Sequence, residues 1–187
     1  MGFFDWADNP LTSLADSFVK NVFMDTVKPE VGCILKVDLA GGLASHTGVY
    51  IGNNEIVELY ENDGVGEIRI VSPKKFLNGE PGSAVRTGMY IYCACIGTYV
   101  LSSDEIAKRA KYCVGDEKAY GLMGKNCHAF VTYCITGEEI THKKIENKSL
   151  WTLMGVEKSL AKYFERRYDA GTITWRSTGS ANGRNFE

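Results

Sequence analysis

His46-Thr47-Gly48-Val49-Tyr50-Ile51-Gly52-Asn53-Asn54-Glu55-Ile56-Val57-Glu58-Leu59 is the stretch from which the rest of the chain is best read. Two runs rich in Val, Ile and Tyr flank Gly52-Asn53-Asn54, residues that tolerate the positive φ of a tight turn, so the segment is expected to form two antiparallel strands. Counting inward from the turn, Ile51 roughly faces Glu55 and Gly48 faces Glu58. The Glu58 carboxylate then falls within a residue or two of His46, twelve positions earlier in the chain. A Glu-to-His hydrogen bond across the hairpin is the first chemical expectation.

Working outward, further β-rich runs at Gly32 to Val37, Glu67 to Val71, Met89 to Cys95 and Thr98 to Leu101 extend the hairpin into an antiparallel meander of about five to six strands. The period then lengthens toward that of a helix. Ser102 and Glu105 read as a capping box ahead of Ile106, Ala107, Ala110, Cys113 and Val114, and Gly115 stops the run. A second helix is expected from Asn126, its N-cap, through Phe130, Val131, Cys134 and Ile135 to Gly137. Ser149 to Tyr168 carries one or two more helices, with Gly155 as a break. At the other end, Asn9-Pro10 introduces an apolar stripe of helical spacing at Leu11, Leu14, Phe18, Val22 and Phe23. The fold class expected is therefore α+β, an antiparallel sheet packed against helices. Its divisions are an amphipathic helix and lead-in over 1–28, a main domain over 29–137, a helical extension over 138–176 and a flexible Ser-, Gly- and Asn-rich tail over 177–187.

A chain of 187 residues, 44% hydrophobic and 24% charged, is expected to make one soluble globular domain. Its net charge of −2 supplies no basic face for a polyanion, which argues against a nucleic-acid partner. The six cysteines lie in apolar segments, and the opening residues lack the pattern of an export signal, so the thiols are expected to be reduced and the protein cytoplasmic. Cys93-x-Cys95 is too close for an ordinary bridge, and no pair of Cys-x-x-Cys knuckles exists to hold a structural metal. No glycine loop of phosphate-binding pattern occurs, and no cofactor is expected.

The candidate chemistry centres on Asn126-Cys127-His128-Ala129-Phe130, where Cys127 takes the first position of the helix. Backbone N–H groups and the positive end of the helix dipole favour thiolate there. A thiolate that attacks acyl carbon needs a histidine to move protons and a polar third residue to hold that ring in one tautomer. His46 and Glu58 fill these roles, and the unpaired N–H groups of the helix terminus could stabilise the oxyanion. His128 neighbours the thiol, but adjacent helical side chains point about 100° apart, so it is not expected to be the base. With Tyr120 and Asn126 it is read as a substrate-binding residue, Gly121 and Gly124 shape the cleft, and His142 sits in a charged loop.

Taken together, the His-x-x-x-Tyr-x-Gly strand, the polar residue twelve positions on and the downstream Asn-Cys-x-x-Phe resemble the lecithin:retinol acyltransferase superfamily, circularly permuted relatives of the NlpC-type papain-like enzymes. The resemblance covers about Pro29 to Gly137. It implies an antiparallel sheet on helices, nucleophile Cys127, base His46, orienting residue Glu58 and an acyl-cysteine intermediate. By resemblance the acyl donor is a lipid ester such as a phospholipid; a peptide or amide substrate of the NlpC-type group, or a non-catalytic interaction module, are the alternatives. The chain departs from the animal lipid enzymes in carrying Glu58 where they have a second histidine, Thr47 where they have tryptophan, and His128-Ala129 where they have Glu-His. With a lipid substrate, Phe3, Phe4 and Trp6 would mark a peripheral membrane contact. Against that, Asp8, Asp16 and Asp25 on the polar face of the first helix favour packing on the domain.

Overall fold

The computed structural model describes residues 26–62, 65–80, 86, 90–116, 126–138, 152–165, 171–179 and 186. The expected N-terminal helix, Tyr120 with Gly121 and Gly124, and His142 fall outside the described residues. Strands β1 (Ile34–Leu39), β2 (Ala44–Gly52), β3 (Glu55–Asn62) and β4 (Val65–Val71) run as an antiparallel meander. Helix α1 (Pro73–Asn78) follows, then β5 (Tyr92–Ile96) and β6 (Tyr99–Val100). Helices α2 (Asp104–Tyr112), α3 (Cys127–Thr136) and α4 (Leu153–Phe164) precede the last strand, β7 (Ile173–Ser177).

These strands make one seven-stranded sheet in the order β4-β3-β2-β1-β5-β6, with β7 also paired to β5. All its pairings are antiparallel. The α+β class is as expected, but β7 was not anticipated. It pairs with β5 along that strand's whole length, from Tyr92 opposite Ser177 to Ile96 opposite Ile173.

The deciding hairpin turns where the sequence says it should, with Asn53 at φ 52° and Asn54 at φ 58°, the sign a two-residue turn matched to strand twist requires. A bulge between Tyr50 and Gly52 puts Gly52, not Ile51, opposite Glu55, yet Gly48 still faces Glu58.

Alternation along these strands splits the interior in two. Val49, Ile51, Val57, Leu59 and Ile68 face the helices, where they join Ile106 and Ala110 of α2, Phe130 and Ile135 of α3, and Val156, Leu160 and Phe164 of α4. On the other face Leu35, Val37, Tyr50 and Ile56 pack with Phe76 and Leu77 of α1. His46, Gly48 and Glu58 belong to this second face by register. A Cβ at Gly48 would come 2.9 Å from the Phe76 ring and from the Val57 carbonyl, so only glycine lets α1 close over the hairpin here. The Phe76 ring lies against His46, centroid to centroid 5.4 Å.

Three local readings change. Ser102 does not form a capping box: its hydroxyl donates to Glu30 at 2.6 Å, while Ser103 takes the N-cap position and Glu105 pairs with Lys108 instead. Gly155 does not break a helix but lies in the first turn of α4, where its N–H is satisfied by the Thr152 cap. In the stretch read as a flexible tail, Ser177 closes β7, Thr178 donates through both its N–H and its hydroxyl to the Ile91 carbonyl, and Phe186 is buried against Tyr50. Among the described residues no helix is long and apolar enough to cross a membrane.

Candidate active site

The hairpin delivers the predicted contact. The Nε2 of His46 and the Oε2 of Glu58 lie 2.8 Å apart, with the carboxylate fully buried. Two arginines hold the same carboxylate. Arg69, opposite Glu58 in the β3–β4 register, donates to Oε1 from Nε and Nη2 at 3.0 and 2.9 Å, and Arg86 donates to Oε2 from Nη2 at 3.2 Å. Arg69 continues outward to Glu80 at 3.0 Å and Glu67 at 3.3 Å.

Burial by itself would raise the Glu58 pKa, but the hydrogen bond and charge of His46, then the charge of Arg86 and the bonds from Arg69, bring it down to about 2. At neutral pH Glu58 is therefore an ionised, acceptor-only group. That fixes the hydrogen on His46 Nε2 and leaves Nδ1 to face the other way.

Cys127 opens α3 beneath an intact cap: the side-chain oxygen of Asn126 accepts from the N–H of His128 at 2.8 Å and of Ala129 at 3.3 Å. This corrects the expectation that several free N–H groups await an oxyanion there. Those two are occupied, and at the helix start it is Cys127's own N–H that has no intrahelical acceptor. The far end of α3 is pinned as well, because Arg109 donates to the Cys134 and Ile135 carbonyls at 2.6 and 2.9 Å and Gly137 takes the left-handed conformation that ends the helix. The first residue is thus fixed from both ends.

Of the six cysteines, Cys127 alone is not buried. Burial would raise its thiol, but the charge and hydrogen bond of His46, with bonds from the Thr47 backbone and side chain, leave the pKa below the ordinary thiol value. The reverse holds for the imidazole: burial would lower it, and Cys127 and then Glu58 outweigh that to raise it to about 9. A lowered thiol beside a raised imidazole is the condition for a thiolate–imidazolium pair at neutral pH.

His128 faces elsewhere. Its Nδ1 lies 3.1 Å from the Thr47 hydroxyl, and burial followed by the nearby charge of His46 lowers its pKa to about 4, so it is neutral at pH 7. The structure thus brings Cys127, His46 and Glu58 together, with Asn126 beneath and His128 beside them. Among the described residues no group of three or more His, Cys, Asp or Glu is arranged to hold a metal ion.

This electrostatic arrangement makes a prediction that needs no substrate. Iodoacetamide at pH 7 should modify Cys127 selectively, because the other five thiols are buried. Replacing His46 with Ala removes the charge that lowers the thiol, so the pH of half-maximal alkylation should rise and the rate at pH 7 should fall about tenfold or more. Equal alkylation profiles in the two proteins would show that the imidazole does not activate the thiol.

Compared with known families, residues 27–140 match the family described as lecithin retinol acyltransferase. The chain belongs to this family. No curated protein and no solved structure matches the chain. The matched region of this acyltransferase family includes His46, Glu58 and Cys127 but ends before α4 and β7. In this family member, therefore, part of the core that backs the site comes from residues beyond the matched region, with Val156, Leu160 and Phe164 on the helical side.

Sequence reading missed Thr47, Arg69 and Arg86. Arg69 was within reach: the counting that set Glu58 opposite Gly48 would, repeated across Asn62-Asp63-Gly64, have set it opposite Arg69. Thr47 stood next to His46 and was read only as a departure from the animal enzymes. Arg86 has no local signal, since its role arises from contacts far along the chain.

Proposed function

We propose that this protein is a cysteine-dependent acyl-transfer enzyme, with a lipid ester such as a phospholipid as its acyl donor. The observation that carries the reading is the half-buried Cys127, its thiol pKa lowered by neighbouring His46, whose Nε2 is in turn held by the buried, ionised Glu58. Family membership supports the acyl-transfer class.

In the proposed reaction the Cys127 thiolate attacks the ester carbonyl, and the oxyanion is met by the Cys127 N–H. The imidazolium of His46 gives its proton to the departing alcohol as the C–O bond breaks, leaving an acyl thioester on Cys127 and a neutral imidazole. His46 then takes a proton from water or another acceptor, which attacks the thioester and releases the thiolate. Glu58 keeps the ring in one orientation throughout. His128, Asn126 and Tyr120 complete the substrate-binding surface in this reading, and peripheral contact through the segment containing Phe3, Phe4 and Trp6 is the route to a lipid donor.

Intact-mass measurement after incubation with a short-chain phospholipid, an activated acyl ester and a peptide amide tests the assignment. An acyl adduct on Cys127 from the phospholipid, with release of the lysolipid, is the expected result. Acylation by the peptide amide alone would move the enzyme to the amidase class. No adduct from any donor, with no turnover, would overturn acyl transfer.

A further inference from the structure

Arg86 is held at several points that no substrate role requires. Its backbone bridges to Leu39 at the end of β1, close to the turn that leads into His46. Its guanidinium donates to the Phe76 and Lys75 carbonyls in the C-terminal half of α1, where a cation is favoured by the helix dipole, and lies 5.7 Å from the centre of the Phe76 ring. The side chain is only 5% exposed. From this anchored position Nη2 reaches Glu58 Oε2, the same oxygen that holds His46. Arg69 contacts only the other oxygen, Oε1.

We propose that Arg86 is a positioning residue of the active site: by sharing Glu58 Oε2 with His46 it fixes the carboxylate against the ring and limits how much of that oxygen's charge the imidazole receives. The proposal rests on the acyl-transfer reading for its significance, but its geometry does not depend on the substrate. A general base must be able to give up its proton as well as hold it, and a fully buried carboxylate facing an imidazole without competition would favour the charged ring strongly. A second cation on the same oxygen opposes that in two ways, by occupying a lone pair and by placing positive charge beside the imidazolium. The groups facing His46 are then Cys127 and His128 from α3, Glu58 from β3, Arg86, and the uncharged Phe76 ring from α1. Cys127 and Glu58 favour its protonation; Arg86 and burial oppose it.

The test is the titration of His46 itself, followed through its ring resonances by NMR in a chain with only three histidines. In Arg86→Gln the oxygen is released to His46 and a positive charge is removed, so the ring should lose its proton at a pH about one unit higher than in the native protein. Arg86→Lys keeps the charge but cannot span the α1 carbonyls and Oε2 together, so its titration should move in the same direction by less. A role confined to stability would lower the melting temperature and leave the titration in place. A folded Arg86→Gln that titrates as the native protein does, or at lower pH, overturns the proposal. Should that variant fail to fold, Arg86→Lys titrating at the native position overturns it equally. Failure of acyl transfer would instead appear as absence of the Cys127 adduct, with the His46 titration still responding to Arg86.

Discussion

Cys127→Ala should form no acyl adduct and should lose turnover by about a thousandfold or more, since removing a covalent nucleophile eliminates the two-step pathway and leaves only binding and electrostatic contributions. The loss should appear in kcat rather than in KM. The substitution should spare the fold, because Cys127 is only half-buried and the start of α3 is secured by the Asn126 cap rather than by the thiol. The control is His128→Ala. That ring contacts Thr47 and is neutral at pH 7, so its removal should change substrate affinity more than the chemical step. Measured by initial rates and intact mass, the two neighbouring substitutions should differ by orders of magnitude in kcat. Undiminished turnover in Cys127→Ala would assign the nucleophile elsewhere.

The largest stability effect is expected at Glu58. In Glu58→Ala the Arg86 guanidinium, 5% exposed, and the Arg69 guanidinium, 15% exposed, both lose their buried counter-charge. Removing one side of a buried charge cluster costs about 3–5 kcal/mol, which in a chain of this size is a fall in Tm of about 10 °C. Glu58→Gln keeps an acceptor for His46 and should lose less. The pH dependence gives the sign independently. The folded pKa of about 2 lies below the ordinary 4.5, so this group's stabilisation is fully present above pH 4.5 and fades as the pH falls toward 2. The gap in Tm between the native protein and Glu58→Ala should therefore be widest at neutral pH and shrink across that acid range. A gap independent of pH would mean that the charge of Glu58 is not what holds the cluster.

The hairpin and helix α3 were legible because their determinants are local. Asn53-Asn54 fixes a turn, the turn fixes a register, and the register sets Glu58 beside His46; Asn126 and Gly137 mark both ends of α3 in the sequence itself. The bulge at Ile51 shifted the first pair without disturbing the one that mattered. What escaped depends on contacts distant in sequence. β7 shows only a short β-rich run, and its pairing with β5 is what makes it a strand. Ser102 satisfied the letters of a capping box, but Glu30, far back in the chain, offered its hydroxyl a better partner. Arg86 became part of the site through Leu39, Phe76 and Glu58 together, a conjunction that no spacing rule expresses.

The pairing of β5 with β7 also sets an order of events. The β2–β3 hairpin closes over a two-residue turn, an event of microseconds, whereas bringing Thr174 to Cys95 requires closing a span of 79 residues. On loop-closure grounds the His46–Glu58 half of the sheet can assemble while a chain is still being synthesised, and the β5 flank waits for its last strand. During that interval β5, with Cys93, Ala94 and Cys95 destined for full burial, offers an open edge to any other extended chain. Vulnerability to misassembly during biosynthesis is therefore concentrated on the side of the sheet away from the His46–Glu58 hairpin.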